Sequence, residues 1–181
     1  MHDDFGEQLD RCTVTLEQFR QLAERVQDRA TRARSAESIV EELVELSHLG
    51  LPEADIEIKI EADLAGLMIN ADSTLIPALL NLIHNAAKAN TGTGKNRIEV
   101  TARERQQELM IAVRDYGAGI PTDLLQELGE STVESAQGLG MAVFFSNATL
   151  ERLGGRLELS NLDEGAQARV YLPLLDAPRT L

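Results

Sequence analysis

Leu109-Met110-Ile111-Ala112-Val113 is a short apolar run that ends at Asp115-Tyr116-Gly117-Ala118-Gly119-Ile120-Pro121. An unbroken run of this length followed at once by turn residues predicts a strand, and the strand delivers the Asp115 carboxylate to its end. Gly117 and Gly119 let the backbone turn sharply and approach a flat ligand with no Cβ in the way. A carboxylate beside such a bend can accept a hydrogen bond from an exocyclic amine, such as the N6 amine of adenine. A surface hairpin with an Asp-Gly-type turn is the alternative, and Asp-x-Gly-x-Gly alone does not decide between them.

The first part of the chain has a different pattern. From Glu7 to Arg34 there is neither Gly nor Pro, and Leu9, Cys12, Leu16, Phe19, Ala23, Val26, Ala30 and Ala33 recur at alternating spacings of three and four. That is a heptad seam with polar residues between. A long helix with one narrow apolar stripe is not stable alone. The pattern therefore predicts a dimerising bundle helix over residues 1–34, the alternative being a helix docked on its own core. Cys12 lies on the stripe. As the one cysteine of 181 residues it forms no internal disulfide, and a buried Cys behaves as a small hydrophobe. In a parallel dimer two copies could face each other and bond between chains.

Residues 35–181 alternate helices and strands. Ser35 opens a helix carrying Ile39, Leu43, Val44 and Leu46, which Gly50 and Pro52 end. His48 falls in its last turn, where a cation is favoured. Ile56 to Ile60 alternates as a half-buried strand, and Leu67-Met68-Ile69 is a second. Asp72 is expected to cap a helix from Ser73 to Ala89, broken by Thr91-Gly92-Thr93-Gly94. Arg97 to Arg103 and Leu109 to Arg114 form a strand pair. Thr122 to Gln137 is polar and Glu-rich, as a mobile loop would be. Leu139 to Leu153 is a helix, and Arg156 to Ser160 and Ala168 to Leu172 are closing strands. The fold class this predicts is α+β, a two-layer α/β sandwich with helices on one face of a mixed sheet.

Three groups of residues carry chemistry. Asn81, Asn85 and Lys88 lie four and three apart, so they share one helix face. Amide oxygens are hard ligands suited to Mg²⁺, and Lys supplies a charge for phosphate. A solvated helix face would read the same way, and His84 points elsewhere. The second group is the Asp115 bend. The third is Gly138-Leu139-Gly140-Met141 opening a helix, where exposed N–H groups make an anion site or the glycines are only a hinge. Gly94-Lys95 is not a phosphate-binding loop, because Ala89 and Asn96 stand where Gly and Ser or Thr are needed. The formal charge of −13 argues against a nucleic-acid groove and against an anionic membrane surface. It also means that an anionic nucleotide needs local cations and N–H groups. No apolar run is long enough to span a bilayer and no signal peptide is visible, which with the single Cys predicts a cytoplasmic chain.

The order Asn-x-x-x-Asn-Ala-x-Lys, Asp-x-Gly-x-Gly-Ile-Pro, then Gly-Leu-Gly-Met before a helix resembles the ATP-binding domain of sensor histidine kinases, members of the GHKL family. The resemblance covers about Ile56 to Pro173, and the stretch from Gly138 to Leu159 is most similar to RegB-type redox-responsive kinases. It implies a Bergerat sandwich with ATP between the Asn-bearing helix and a lid at Thr122 to Gln137. By this resemblance Asn85 would coordinate Mg²⁺, with Asn81 supporting the metal, and Lys88 would meet the phosphates. Asp115 would hold adenine N6, with Gly117 and Gly119 shaping that pocket. Gly138, Leu139 and Gly140 would bring backbone N–H groups to the phosphates. The resemblance also implies a homodimer through the N-terminal helix, a response-regulator receiver domain as partner, a membrane-anchored bacterial sensor as the full protein, and a redox role for Cys12.

The sequence departs from the family's pattern in places. Ala136 stands where a Gly is usual, Gln167 where a Thr is common, and no Phe-containing lid motif lies between Pro121 and Gly138. The family's acceptor His, followed by an acid and a Pro, has no counterpart at His2, His48 or His84. The chain is therefore expected to be a fragment that binds Mg-ATP without labelling itself. A serine kinase of the anti-sigma type shares the implied fold and needs no internal His, and a non-catalytic nucleotide-binding dimerisation module is a third possibility.

Overall fold

The computed structural model describes residues 31–60, 64–91, 93–122, 125 and 140–175. Strand β1 (Arg32–Ser35) pairs antiparallel with β3 (Met68–Ala71), Ala33 opposite Asn70 and Arg34 opposite Ile69. This corrects the expected N-terminal helix at its end. Ala33 continues the apolar stripe in sequence, but its backbone belongs to a ladder with β3, a tertiary pairing that overrides local periodicity. The rest of that expected helix, with Cys12, lies outside the described residues.

Helix α1 (Ala36–Gly50) begins where Ser35 predicts. Ser35 Oγ accepts from Ser38 N at 3.1 Å, and Ser38 Oγ donates to the Ser35 carbonyl at 2.9 Å. The first bond satisfies a donor that a helix start leaves open. Ala36, Ile39, Val40 and Leu43 form its buried side. His48 Nδ1 lies 2.8 Å from the Val44 carbonyl, within its own helix.

Among the described residues the main sheet has five strands, in the spatial order Asp55–Ile60, Arg97–Arg105, Glu108–Arg114, Ala166–Pro173 and Arg156–Asn161. Strand β2 (Asp55–Ile60) runs parallel to β4 (Arg97–Arg105). Strands β4, β5 (Glu108–Arg114), β7 (Ala166–Pro173) and β6 (Arg156–Asn161) are joined antiparallel. Helices α1, α2 (Leu75–Asn90) and α3 (Gly140–Arg152) share one core with the sheet, through residues such as Ile83, Ile98, Ile111, Leu150 and Val170. Among the described residues the opposite face carries a small buried group, Met110, Ala112 and Tyr171, with Arg156 stacked 3.8 Å over the Tyr171 ring.

Helix α2 is the element that holds the candidate site in place. Leu75, Leu79, Leu82 and Ile83 are almost wholly buried, and each such side chain stabilises the fold by about 1.5–3 kcal/mol. Its polar edge is therefore fixed relative to the sheet. The helix starts two residues later than expected, at Leu75. Asp72 does not cap it in the ordinary way. Its Oδ1 accepts from Thr74 N at 2.9 Å and Thr74 Oγ1 at 2.7 Å, a local Asx turn just ahead of the helix. Asp72 also pairs with Arg152 at the end of α3, and Arg152 reaches Thr74 Oγ1 at 2.7 Å.

Candidate functional site

Strand β5 carries Asp115 out of the sheet, as the apolar run predicts. Asp115 N donates to the Ala166 carbonyl at 3.0 Å, so β7 fixes the backbone there. The residue is almost buried, at 8% exposure. Oδ1 accepts from Gly117 N at 2.9 Å and from Ala166 N at 3.1 Å. Among the described residues Oδ2 takes no hydrogen bond. One oxygen thus locks the side chain and the other remains able to accept from a ligand.

The bend after Asp115 presses on the last turn of α2. A Cβ on Gly117 would lie 2.2 Å from the Ala89 carbonyl oxygen, so only glycine allows the approach. Tyr116 N donates to Asn90 Oδ1 at 2.9 Å, and Asn90 Nδ2 donates to the Arg97 carbonyl at 2.8 Å. Gly119, at φ +81°, brings the chain to Asn161 at the end of β6. There Ile120 N donates to Asn161 Oδ1 at 2.7 Å, and Asn161 Nδ2 donates to the Ile120 carbonyl at 2.8 Å. Behind the bend, the guanidinium groups of Arg97 and Arg114 lie 5.4 and 4.6 Å from the Tyr116 ring centre. Burial, with a hydrogen bond to Glu99, pushes the Tyr116 phenol above its ordinary pKa, so it stays neutral.

Asn81 and Asn85 are half-buried on α2 and Lys88 is exposed beyond them. Asn85 Nδ2 is buried with no hydrogen-bond partner among the described residues. An unmatched buried amide group costs on the order of 1–3 kcal/mol, and a half-turn of the amide exchanges its N and O ends. His84 lies on the side of α2 toward α1, its Nε2 3.4 Å from where a Gly50 Cβ would stand. Burial, and then the charge of Lys88, lower its pKa.

Helix α3 runs antiparallel along α2. Arg152 is tied to Asp72 ahead of α2, and Ser146 Oγ donates to the Ala78 carbonyl at 3.0 Å one step further along. Carried back to Gly140, about 18 Å at 1.5 Å per residue, this track brings the start of α3 level with Asn81 and Asn85. The expectations on Gly138 and Leu139 lie outside the described residues, as does the expected lid apart from Thr122 and Leu125. The Asn81–Lys88 edge, the Asp115 bend and the start of α3 therefore converge around one helix.

Sequence reasoning missed Asn90, Asn161 and Gly165. A Cβ on Gly165 would lie 2.1 Å from the Asp115 carbonyl oxygen. Asn90 next to the helix-breaking Thr91-Gly92 looks like an ordinary terminal residue. Its one signal is a polar side chain at the position that continues the apolar face of Ile83 and Ala86.

A mixed sheet backed by helices, with a strand-end carboxylate at the end of a helix bearing two amides and an ammonium, defines a nucleotide-binding α/β sandwich. Residues 70–176 match the family of histidine kinase-, DNA gyrase B-, and HSP90-like ATPases. The chain belongs to that family, and its described part is an ATP-binding catalytic domain of the sensor histidine kinase type. It is 28% identical to nitrogen regulation protein NtrY of Azorhizobium caulinodans, over 91% of this chain and 23% of that protein. It is 32% identical to the C4-dicarboxylate transport sensor protein DctB of Pseudomonas aeruginosa, over 65% of this chain and 20% of that protein. The chain thus spans about a quarter or less of the length of these relatives. In fold it is similar to the catalytic domain of histidine kinase ThkA, with a TM-score of 0.65 at 20% identity, covering 79% of this chain and 96% of that one. A mycobacterial sensor histidine kinase, MprB, superposes with a TM-score of 0.62 at 19% identity, over 80% and 98% of the two chains. Among the described residues no helix is long and apolar enough to cross a membrane.

Proposed function

We propose that this chain is the catalytic portion of a two-component sensor kinase. It holds Mg-ATP while the γ-phosphoryl passes to a histidine carried on another segment, and from there to an aspartate of a response-regulator receiver domain. The observation that carries this reading is the divided Asp115 carboxylate: one oxygen held by Gly117 and Ala166, the other without a bond among the described residues, at a bend seated on the end of the Asn85 helix. In it Asp115 accepts the N6 amine of adenine, and Gly117 and Gly119 form the floor under the base. Asn85 and Asn81 present amide oxygens to Mg²⁺, and Lys88 meets the phosphates. Gly138, Leu139 and Gly140 offer main-chain N–H groups at the start of α3.

The residues present fit Mg²⁺. The unsatisfied amide of Asn85, turned by half a rotation, supplies a hard oxygen ligand of the type the ion takes. When bound, the ion offsets charge on the phosphate oxygens. The chain's own residues orient the nucleotide, and catalysis rests on that positioning and on charge neutralisation. In the transfer the bond from the γ-phosphorus to the bridging oxygen breaks, a bond to an imidazole nitrogen forms, and ADP leaves. The heptad stripe before residue 31 supports pairing of two copies through a bundle helix.

The test supplies γ-labelled ATP, Mg²⁺ and, as separate proteins, the histidine-bearing bundle and receiver domain of a sensor system such as those of the relatives above. Label that appears on the bundle histidine, passes to the receiver and is lost in Asn85→Ala supports the proposal. Label found instead on a serine of the added protein, or strong labelling of His48 or His84 on this chain, contradicts it.

A further inference from the structure

Asn90 joins three parts of the chain through one amide. It ends α2, the helix that carries Asn81, Asn85 and Lys88. Its Nδ2 donates to the Arg97 carbonyl where β4 begins, at 2.8 Å, and its Oδ1 accepts from Tyr116 N, the residue after Asp115, at 2.9 Å. Both ends bond main-chain groups of opposite kind, so the orientation of the amide is determined. The residue is 3% exposed. A cavity of about 230 Å³, bordered by Gly50, Pro52, Ala54, Ala87 and Asn96, lies beside it. The two hydrogen bonds fix how the amide is turned.

We infer that Asn90 is a positioning residue that sets base selectivity, by fixing the Asp115 bend at one height above α2. The inference rests on the nucleotide reading of the site. Adenine presents an amine at its sixth position and guanine a carbonyl oxygen. A carboxylate oxygen held in place attracts the first and repels the second, and a bend free to shift relieves the repulsion. Asp115 itself is locked through Oδ1 to Gly117 and Ala166. Ala166 ties Asp115 to β7, while among the described residues the bond from Tyr116 to Asn90 is the polar link from the bend that follows Asp115 to α2. The contact of Gly117 with the Ala89 carbonyl limits approach but does not prevent separation. Without Asn90 Oδ1, the Tyr116 N–H loses its acceptor and the bend can lift from the helix.

The 181-residue chain and its variants are titrated with Mg-ADP and Mg-GDP, and thermal melting checks that each variant folds. The ratio of the two affinities is the readout, because general destabilisation weakens both nucleotides alike. The wild type is expected to prefer ADP. Asn90→Leu, which fills the same space without an acceptor, reduces that preference at least tenfold. Asn90→Ser, whose hydroxyl is too short to span the gap, does the same and decides the matter if Asn90→Leu does not melt cooperatively. A wild-type ratio in both the Leu and Ser variants overturns the assignment. A wild type that binds neither nucleotide overturns the site reading and this inference together, which separates the two failures.

Discussion

The carbonyl oxygen of Ala89 stands 2.2 Å from the place a Gly117 side chain would begin. The last turn of the Asn-bearing helix and the bend after Asp115 are thus in backbone contact. This contact brings residues from two distant parts of the chain to one site. Substitution of Gly117 by Ala has to push the bend away from α2. The expected cost is about 1–3 kcal/mol of stability, as for overpacking elsewhere, with a loss of nucleotide affinity greater than that of a surface glycine such as Gly66. Denaturant unfolding and nucleotide titration of the two variants measure both effects.

Asp72 and Arg152 clasp the far ends of α2 and α3. Burial alone would raise the Asp72 pKa, but hydrogen bonds from Arg152 and Thr74 and the Arg152 charge outweigh it and hold the carboxyl below its ordinary 3.8. A folded-state pKa below the unfolded one gives stability that is fully present above the unfolded value and lost as pH falls through the folded value. Wild-type stability should therefore drop as pH falls below 3.8, and Asp72→Asn should flatten that part of the curve. Arg152→Met leaves a carboxylate with no exposed side-chain surface short of its charged partner. It is expected to cost about 1–3 kcal/mol near neutral pH, measured by urea unfolding.

His84 is expected to contribute a second pH dependence, in a higher range. Its pKa lies below the ordinary 6.5 because it is partly buried and, secondly, because Lys88 is near. The sign is the same: stability is held above 6.5 and declines as protons bind the unfolded chain more readily than the folded one. Unfolding measured at about pH 8 and about pH 5, on either side of the ordinary His value, should show a smaller decline in His84→Gln than in the wild type.

Local patterns were readable in the sequence wherever neighbours in the chain decide the structure. The alternation in Ile56 to Ile60, the cap at Ser35, and the apolar run ending at Asp115 each rest on residues a few positions apart. The face shared by Asn81, Asn85 and Lys88 follows from helical spacing alone. What was not readable depends on partners far away. Asn90 bonds Tyr116 and Asn161 bonds Ile120, and nothing beside either asparagine announces those distant partners. Ala33 was misread for the same reason: its stripe suggested a helix, but β3 supplies a ladder. Asp72 was expected to serve its own helix, yet its charge answers an arginine at the end of another.

The measurement that tests the nucleotide cradle most directly is calorimetric titration of the chain with Mg-ADP, repeated on Asp115→Asn and Asn85→Ala. A hydrogen bond to a charged group contributes about 1.5–3 kcal/mol, which corresponds to about a tenfold to hundredfold loss of affinity. The expected result is saturable binding at one site in the wild type, weakened at least tenfold by each substitution. No binding by the wild type, or wild-type affinity in both variants, would contradict it.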